Sequence, residues 1–213
     1  MHIEFIDLLR CPRPHEETWL VAALHRMDGR HVVEAKLGCP VCGAEFFIRE
    51  GVAIFPGKES GDAAIHYRVG ELSPLQDAVA MRIAAFLDLT RPGKLVLLAG
   101  GLATESELVS ELADARVISL NPRSDVQVPP SDRVAELRVS TRLPLAARSL
   151  DGIALDESHS TLEMLAEAAR LLRPRGRLLA VTRSELSPEF RELARDPDHV
   201  VAEYVGELVT LTR

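Results

Sequence analysis

Two short turns near the N-terminus constrain this chain most: Cys11-Pro12-Arg13-Pro14-His15, then Cys39-Pro40-Val41-Cys42-Gly43. They hold all three cysteines of the 213-residue chain. Two turns that each offer two soft or borderline ligands are what a tetrahedral zinc ion requires. The stretch between them is long enough for a hairpin that folds the second turn onto the first. The reading is a small zinc-ribbon β domain over residues 1–57, with Cys11, His15, Cys39 and Cys42 as metal ligands. The first turn carries only one cysteine, because Pro14 stands where a second would complete C-x-x-C. His15 is the nearest substitute, with His31 and Glu16 as alternatives. A redox pair fits less well, since Gly43 and an extended run from Glu45 to Ile48 follow, rather than a helix. An odd cysteine count also suits a reducing compartment better than a disulfide framework.

The runs FIDLLRCPRPH and LGCPVCGAEFFIREGVAIFPG bound this region. They resemble the zinc-ribbon family of small activator subunits for tRNA, rRNA and protein methyltransferases. That pattern is an apolar run, L-x-C-P, a variable hairpin, C-x-x-C-G, an aromatic and I-x-x-G-[IV], and it covers Phe5 to Phe55. The departure is Pro14. The resemblance implies a ribbon that docks beside a methyltransferase and covers apolar surface, in cis or in trans. The lightly charged runs Phe46-Phe47-Ile48 and Val52-Ala53-Ile54-Phe55 would suit such packing, a homodimer, or simply the ribbon's own core.

Composition sets the outer limits. At 46% hydrophobic the chain can bury one good core and a small satellite. Met1-His2-Ile3-Glu4 lacks a basic stretch leading into an apolar run, and no apolar run reaches membrane-spanning length, so a soluble cytoplasmic protein with no membrane association is expected. A net charge of −7 argues against non-specific nucleic-acid binding. The densest basic group, Arg170, Arg173, Arg175 and Arg177, reads as a solvated turn after a helix.

Residues 58–73 read as a linker, opening with the turn-rich Pro56-to-Asp62 run. Over 74–213 the pattern alternates helix and strand. A helix begins at Ser73-Pro74 and ends before Arg91-Pro92-Gly93. Lys94–Ala99 is a buried parallel strand, and Thr104 to Glu107 forms a capping box for the next helix. Strands follow at Arg116–Leu120, Val134–Val139, Gly152–Leu155 and Arg177–Thr182, with a helix at Leu162–Leu172 and another opened by Ser187-Pro188. His199–Val205 and Leu208–Thr212 read as a closing hairpin. The fold class is α/β: a doubly wound Rossmann-like sheet with an antiparallel C-terminal hairpin, preceded by the ribbon.

Three segments carry a second resemblance: RPGKLVLLAGGLATESELVSEL, LPLAARSLDGIALDESHS and EMLAEAARLLRPRGRLLAV. In order and spacing they are similar to the first strand and glycine loop, the fourth strand, and the fifth strand of class I S-adenosylmethionine-dependent methyltransferases. The resemblance implies that fold, and cofactor contacts at Gly100, Gly101 and Asn121. It also shows three departures. Leu98 stands at an acidic position, and Leu102 and Thr104 replace glycines, with Leu102 expected to fill cofactor space. Asn121 replaces the carboxylate that holds the ribose. The segment 122–133 lacks the pattern of the helix that walls the adenosine pocket. Asp156, Glu157, Ser158 and His159 follow the fourth strand, where they either cap a helix or supply acid–base groups, making Asp156, Glu157 and His159 the catalytic candidates. The leading expectation is a non-catalytic binding or scaffold protein that has lost S-adenosylmethionine binding and pairs with an active methyltransferase or with itself. An active methyltransferase with a diverged pocket is the alternative, and a nucleic-acid-binding module the third reading.

Overall fold

The computed structural model describes residues 1–55, 74–122, 131–140 and 142–206. The N-terminal part opens with a 3-10 turn, Ile3–Leu8, followed by β1 (Val21–Asp28), β2 (His31–Gly38), β3 (Glu45–Arg49) and β4 (Val52–Phe55). These four form an antiparallel meander. The Cys39-to-Ala44 turn links β2 to β3. Glu50 and Gly51 link β3 to β4 with φ of 49° and 81°, the pair of left-handed residues that a tight hairpin favours. Gly51 has a second reason to lack a side chain: a Cβ there would lie 2.8 Å from the Met1 amino nitrogen.

The second part runs α1 (Pro74–Phe86), β5 (Leu95–Ala99), a 3-10 turn (Gly100–Glu105), α2 (Ser106–Ala113), β6 (Arg116–Leu120), β7 (Val134–Val139), β8 (Leu150–Ala154), α3 (Leu162–Leu171), β9 (Leu172–Val181), β10 (Phe190–Arg195) and β11 (His199–Tyr204). Its strands lie in the order β7-β6-β5-β8-β9-β11-β10. All pairings through β9 are parallel, and β11 runs antiparallel between β9 and β10. This is a doubly wound, Rossmann-like sheet with an antiparallel C-terminal hairpin. The fully buried LVLLA of β5 at its centre reads as a strand covered on both faces should.

The ribbon and this sheet are continuous. β4 pairs in parallel with β7, setting Ala53, Ile54 and Phe55 against Leu137, Arg138 and Val139, so one sheet holds eleven strands. The apolar runs of β3 and β4 therefore pack within the chain: Phe46, Ile48, Val52, Ala53 and Phe55 are buried, and only Phe47 is exposed.

Alternation along β5 divides the core. Val96 and Leu98 face α1 and α2 with Ile83, Leu87 and Val109. Leu95, Leu97 and Ala99 face a larger core that contains α3 and also Phe5, Ile6 and Leu9 of the N-terminal segment. Among the described residues, no helix connects β7 to β8 or β9 to β10. Leu143 and Leu145 of the first connection enter this core beside the N-terminal segment. Leu9 bridges Leu145, the Arg10 amide donates to Pro144 O, the Ala146 amide donates to Leu8 O, and the Arg116 guanidinium lies 4.8 Å from the Phe5 ring centroid.

Several local expectations change. Ser187-Pro188 opens no helix; Phe190–Arg195 is a strand whose Phe190 sits opposite Tyr204, so the hairpin is β10 with β11, and 208–212 lies outside the described residues. Tertiary pairing overrides the helix propensity of Glu189-to-Arg195. The capping box does not form: Thr104 Oγ1 donates to Gly101 O and Glu105 Oε1 within the 3-10 turn, and α2 starts at Ser106. β9 begins at Leu172, before Pro174. Of the four arginines near it, Arg170 is held by Glu167, Leu143 O and Leu145 O, Arg173 by Asp151 and Arg177 by Phe86 O, while Arg173, Pro174 and Arg175 stay exposed, as the expected solvated turn should. The expected linker 58–73 and the missing helix within 122–133 fall mostly outside the described residues. No helix among the described residues is long and apolar enough to cross a membrane.

Phe5 is 2% exposed in a core shared by both parts. Phe5→Ala is therefore expected to cost about 3–5 kcal/mol in denaturant unfolding. Trp19 fluorescence, which reports the ribbon, and helical ellipticity, which reports α1–α3, should give one coincident transition. Two separated transitions would show that the cores fold independently.

Candidate metal centre and candidate cofactor cleft

The β2–β3 turn and the irregular stretch after Leu9 bring four ligands together. One ligand atom from each of Cys11, His15, Cys39 and Cys42 lies within 4.8 Å of all the others. Cys11 Sγ is 3.7 Å from Cys42 Sγ, and Cys39 Sγ is 3.4 Å from His15 Nε2. A tetrahedron with metal–sulfur bonds of about 2.3 Å has sulfur–sulfur edges of about 3.8 Å, so this spacing suits a shared ion and is far too long for a disulfide. Cys11 and Cys39 are buried and Cys42 is exposed. Burial pushes the Cys11 thiol up; for Cys39 burial is outweighed by the backbone N–H groups of Cys42 and Val41, which bring it down. Three thiols this close can ionise together only against a cation. The cluster can therefore hold a metal. His31 and Glu16 lie outside it: His31 Nε2 is 3.2 Å from Asp132, and the Glu16 carbonyl instead meets His15 Nδ1 at 2.6 Å.

The second site follows from topology. In open α/β sheets ligands bind beyond the carboxyl ends of the strands, where the strand order reverses. Here that point lies between β5 and β8, and an open cleft of about 460 Å³ sits there, lined by Gly100, Gly101, Asn121, Asp156, Glu157, Ser158 and His159. The structure thus gathers every cofactor-binding and catalytic candidate into one cleft. What it also shows is how those groups are already engaged.

Asp156, just past β8, turns its carboxylate into the glycine loop. Oδ2 accepts the Gly101 amide at 2.7 Å. Oδ1 accepts the Ser158 hydroxyl at 2.8 Å and the His159 amide at 3.0 Å, and lies 2.8 Å from His159 Nδ1. Burial works against the charge, but the Gly101 amide and the His159 and Ser158 side chains outweigh it and hold this carboxyl below its ordinary range. Gly100 has φ +62°, and a Cβ on it would overlap the Asp156 carboxylate. The glycine is thus required by an aspartate of the same chain. Sequence reasoning placed Asp156 at the right edge but could not see this contact, which spans 55 residues.

Asn121 is equally occupied. Its Nδ2 donates to Val139 O and its Oδ1 accepts the Val139 amide, both at 2.8 Å, splicing β6 to the end of β7. Leu98 is fully buried. Leu102 does not fill the cleft as expected: it packs against the α1–α2 core and is not among the lining residues, because the 3-10 turn rotates it away. Glu157 is exposed and paired with Arg183. His159 is oriented by Asp156, no cysteine lines the cleft among the described residues, and the one hydroxyl that does among them, Ser158 Oγ, donates to Asp156 and lies 2.9 Å from His159 Nδ1.

No family model matches the sequence, and no curated protein does. Solved structures do resemble it. Phosphoethanolamine N-methyltransferase 2 of Haemonchus contortus, solved with S-adenosyl-L-methionine, is 14% identical at a TM-score of 0.42 over 51% of this chain and 30% of its own. The 1,6-didemethyltoxoflavin-N1-methyltransferase of Burkholderia thailandensis is 21% identical at 0.37, over 63% and 62%. The YcgJ protein of Bacillus subtilis is 20% identical at 0.37, over 49% and 50%. This chain spans less than two thirds of the length of each, and the fold assignment rests on its own strand order.

Two measurements check the cleft. Gly100→Ala is expected to destabilise by at least about 2 kcal/mol, from left-handed backbone strain plus overlap. Adding Asp156→Gly should recover the overlap part only; an unchanged cost would remove Asp156 from the cradle. Asp156→Asn should be less stable than wild type in urea at neutral pH. A carboxyl lowered in the folded state stabilises above its ordinary value of 3.8, and that contribution is lost as the pH falls through the folded value, so the gap should close in acid. A gap that does not vary with pH would refute this.

Proposed function

We propose that this chain is a non-catalytic binding or scaffold protein: a zinc ribbon fused to a methyltransferase-like sheet that has lost canonical-type S-adenosylmethionine binding, and that pairs with an active methyltransferase or with a second copy of itself. The observation that carries this reading is the Asp156 carboxylate seated against Gly100 and Gly101, on the amide a bound ligand would need. The internal pairing of Asn121 supports it, since the group left at the ribose position has both amide atoms committed.

Zinc suits the donor set. Three thiolates and an imidazole make a closed four-ligand shell, the composition of structural rather than catalytic sites. When bound, the ion would neutralise the thiolates and cross-link the two turns. Cys11, Cys39 and Cys42 are all free thiols, which fits a reducing, cytoplasmic setting. Near that end of the ribbon Trp19, Val21 and Val41 are more than 60% exposed and offer apolar surface to a protein partner.

One observation favours the alternative, an active methyltransferase with a diverged pocket. His159 lines the cleft with Nδ1 held by Asp156, the orientation a general base needs. Calorimetric titration of zinc-replete protein with S-adenosylmethionine and S-adenosylhomocysteine separates the two. No heat and no thermal stabilisation are expected at millimolar ligand; micromolar binding would overturn the scaffold reading and make Asp156 and His159 the first residues to mutate.

A further inference from the structure

The loop that carries two of the four metal ligands carries something else. Between Cys11 and Trp19 the chain has no regular structure, only local bonds such as Cys11 N–H to Thr18 O and His15 N–H to Arg13 O. Yet Glu17, two residues past His15, reaches across to the doubly wound half. Its carboxylate accepts the Ala147 amide at 3.1 Å, lies 3.5 Å from Arg170 Nη1 of α3, and lies 3.6 Å from Arg10 Nε. Arg170 in turn donates to Leu143 O and Leu145 O at 2.9 and 2.8 Å and pairs with Glu167 at 2.7 Å. The connection from 142 to 149, which has no helix of its own, is held at 144–146 by the backbone of Leu8, Leu9 and Arg10, and beyond that by Arg170 from one side and by Glu17, on the Ala147 amide, from the other. It leads directly into β8, the strand that delivers Asp156 to the cleft.

An irregular loop holds a side chain in place only if something fixes its backbone, since each unconstrained residue carries about 1–2 kcal/mol of conformational entropy. Cys11 and His15 are the two points at which an ion would fix this one. We propose that Glu17 is a metal-gated clasp: occupancy of the Cys11/His15/Cys39/Cys42 site sets the Glu17 loop, and Glu17 then locks the 142–149 connection and Arg170 onto the ribbon. The clasp rests on the reading of the cluster as a metal site, and goes beyond it by assigning the ion an effect on the far half of the sheet.

The test is amide hydrogen exchange on the full chain, zinc-loaded, stripped with a chelator and reloaded, with zinc content measured throughout. Stripping is expected to speed exchange at the Ala146, Ala147 and Arg148 amides by about tenfold or more, and zinc alone should reverse it. Glu17→Ala should keep one zinc per chain and a protected 39–44 turn, yet reproduce the acceleration at 146–148. If stripping affects only 11–18 and 39–44, or if the zinc-loaded Glu17→Ala chain exchanges like wild type at 146–148, there is no clasp. A chain that takes up no zinc overturns both the clasp and the metal reading beneath it.

Discussion

The parallel pairing of β4 with β7 decides what kind of molecule this is. Three residue pairs in register, Ala53 with Leu137, Ile54 with Arg138 and Phe55 with Val139, convert a four-stranded meander and a seven-stranded doubly wound sheet into one sheet. β7 would otherwise be an edge strand with unpaired backbone groups, a liability that β4 removes. The pairing also places the N-terminal 3-10 turn over the α3 face, where, among the described residues, the connections from β7 to β8 and from β9 to β10 carry no helix to cover the sheet. Phe5, Ile6 and Leu9 take up that role beside Leu143 and Leu145. Each of these side chains contributes roughly 1.5–3 kcal/mol by leaving water. The same residues that close the ribbon's underside thus complete the core of the other half.

The cleft at the β5–β8 switch point shows how a site can be filled without being blocked. Its volume remains, but the Gly101 amide and both amide atoms of Asn121 are already engaged. A backbone amide that can grip an anion gains from a ligand only the difference between the ligand and whatever it already holds. At Gly101 it already holds an ionised carboxylate, delivered at no translational cost because it belongs to the same chain. A ligand would have to displace Asp156, which would also lose the Ser158 and His159 donors on its other oxygen. Asn121 poses the same problem on the adjacent strand, since freeing its amide unzips a bond pair to Val139.

Much of this was legible in the sequence, and the main exceptions share a cause. β6 and β7 fall at the residues their apolar runs indicate, α3 and β5 within a residue, and the four metal-ligand candidates converge as their spacing suggested. These features are encoded locally, by periodicity or by ligand spacing. Apart from the Thr104 capping box, which a local 3-10 turn replaces, the main failures are non-local. Glu189 to Arg195 has helix-forming composition, but a strand partner at His199–Tyr204 claims it. Leu102 was aimed at the cleft by analogy of position, yet a 3-10 turn in place of an extended glycine loop rotates it into the α1–α2 core. Gly100 was read for its permissiveness toward a cofactor, while its actual neighbour is a side chain far along the chain. Glu17 carried no signal at all: an acidic residue in a polar loop is unremarkable until Arg170 and Ala147 stand beside it.

These facts narrow where recognition can reside. Many polar groups of both sites are already engaged within the chain: the metal-ligand cluster gathers four protein donors, and in the cleft Asp156, Ser158 and the Gly101 amide bond one another while Asn121 is tied to Val139. Three of the four arginines around β9, Arg170, Arg173 and Arg177, each have a partner within the chain. Exposed apolar side chains occur on both parts, with Leu162, Met81 and Leu112 on the helices and a group of three on the ribbon. Trp19 and Val21 share one side of the β1 end, and Val41 crowns the second metal turn, each about two-thirds exposed. An ion in the cluster would cross-link the turns that carry Trp19 and Val41, and so lower the backbone ordering cost of docking there. On the scaffold reading proposed above, a protein partner would meet these exposed side chains, and an ion in the Cys11/His15/Cys39/Cys42 cluster would fix the turns on which Trp19 and Val41 stand.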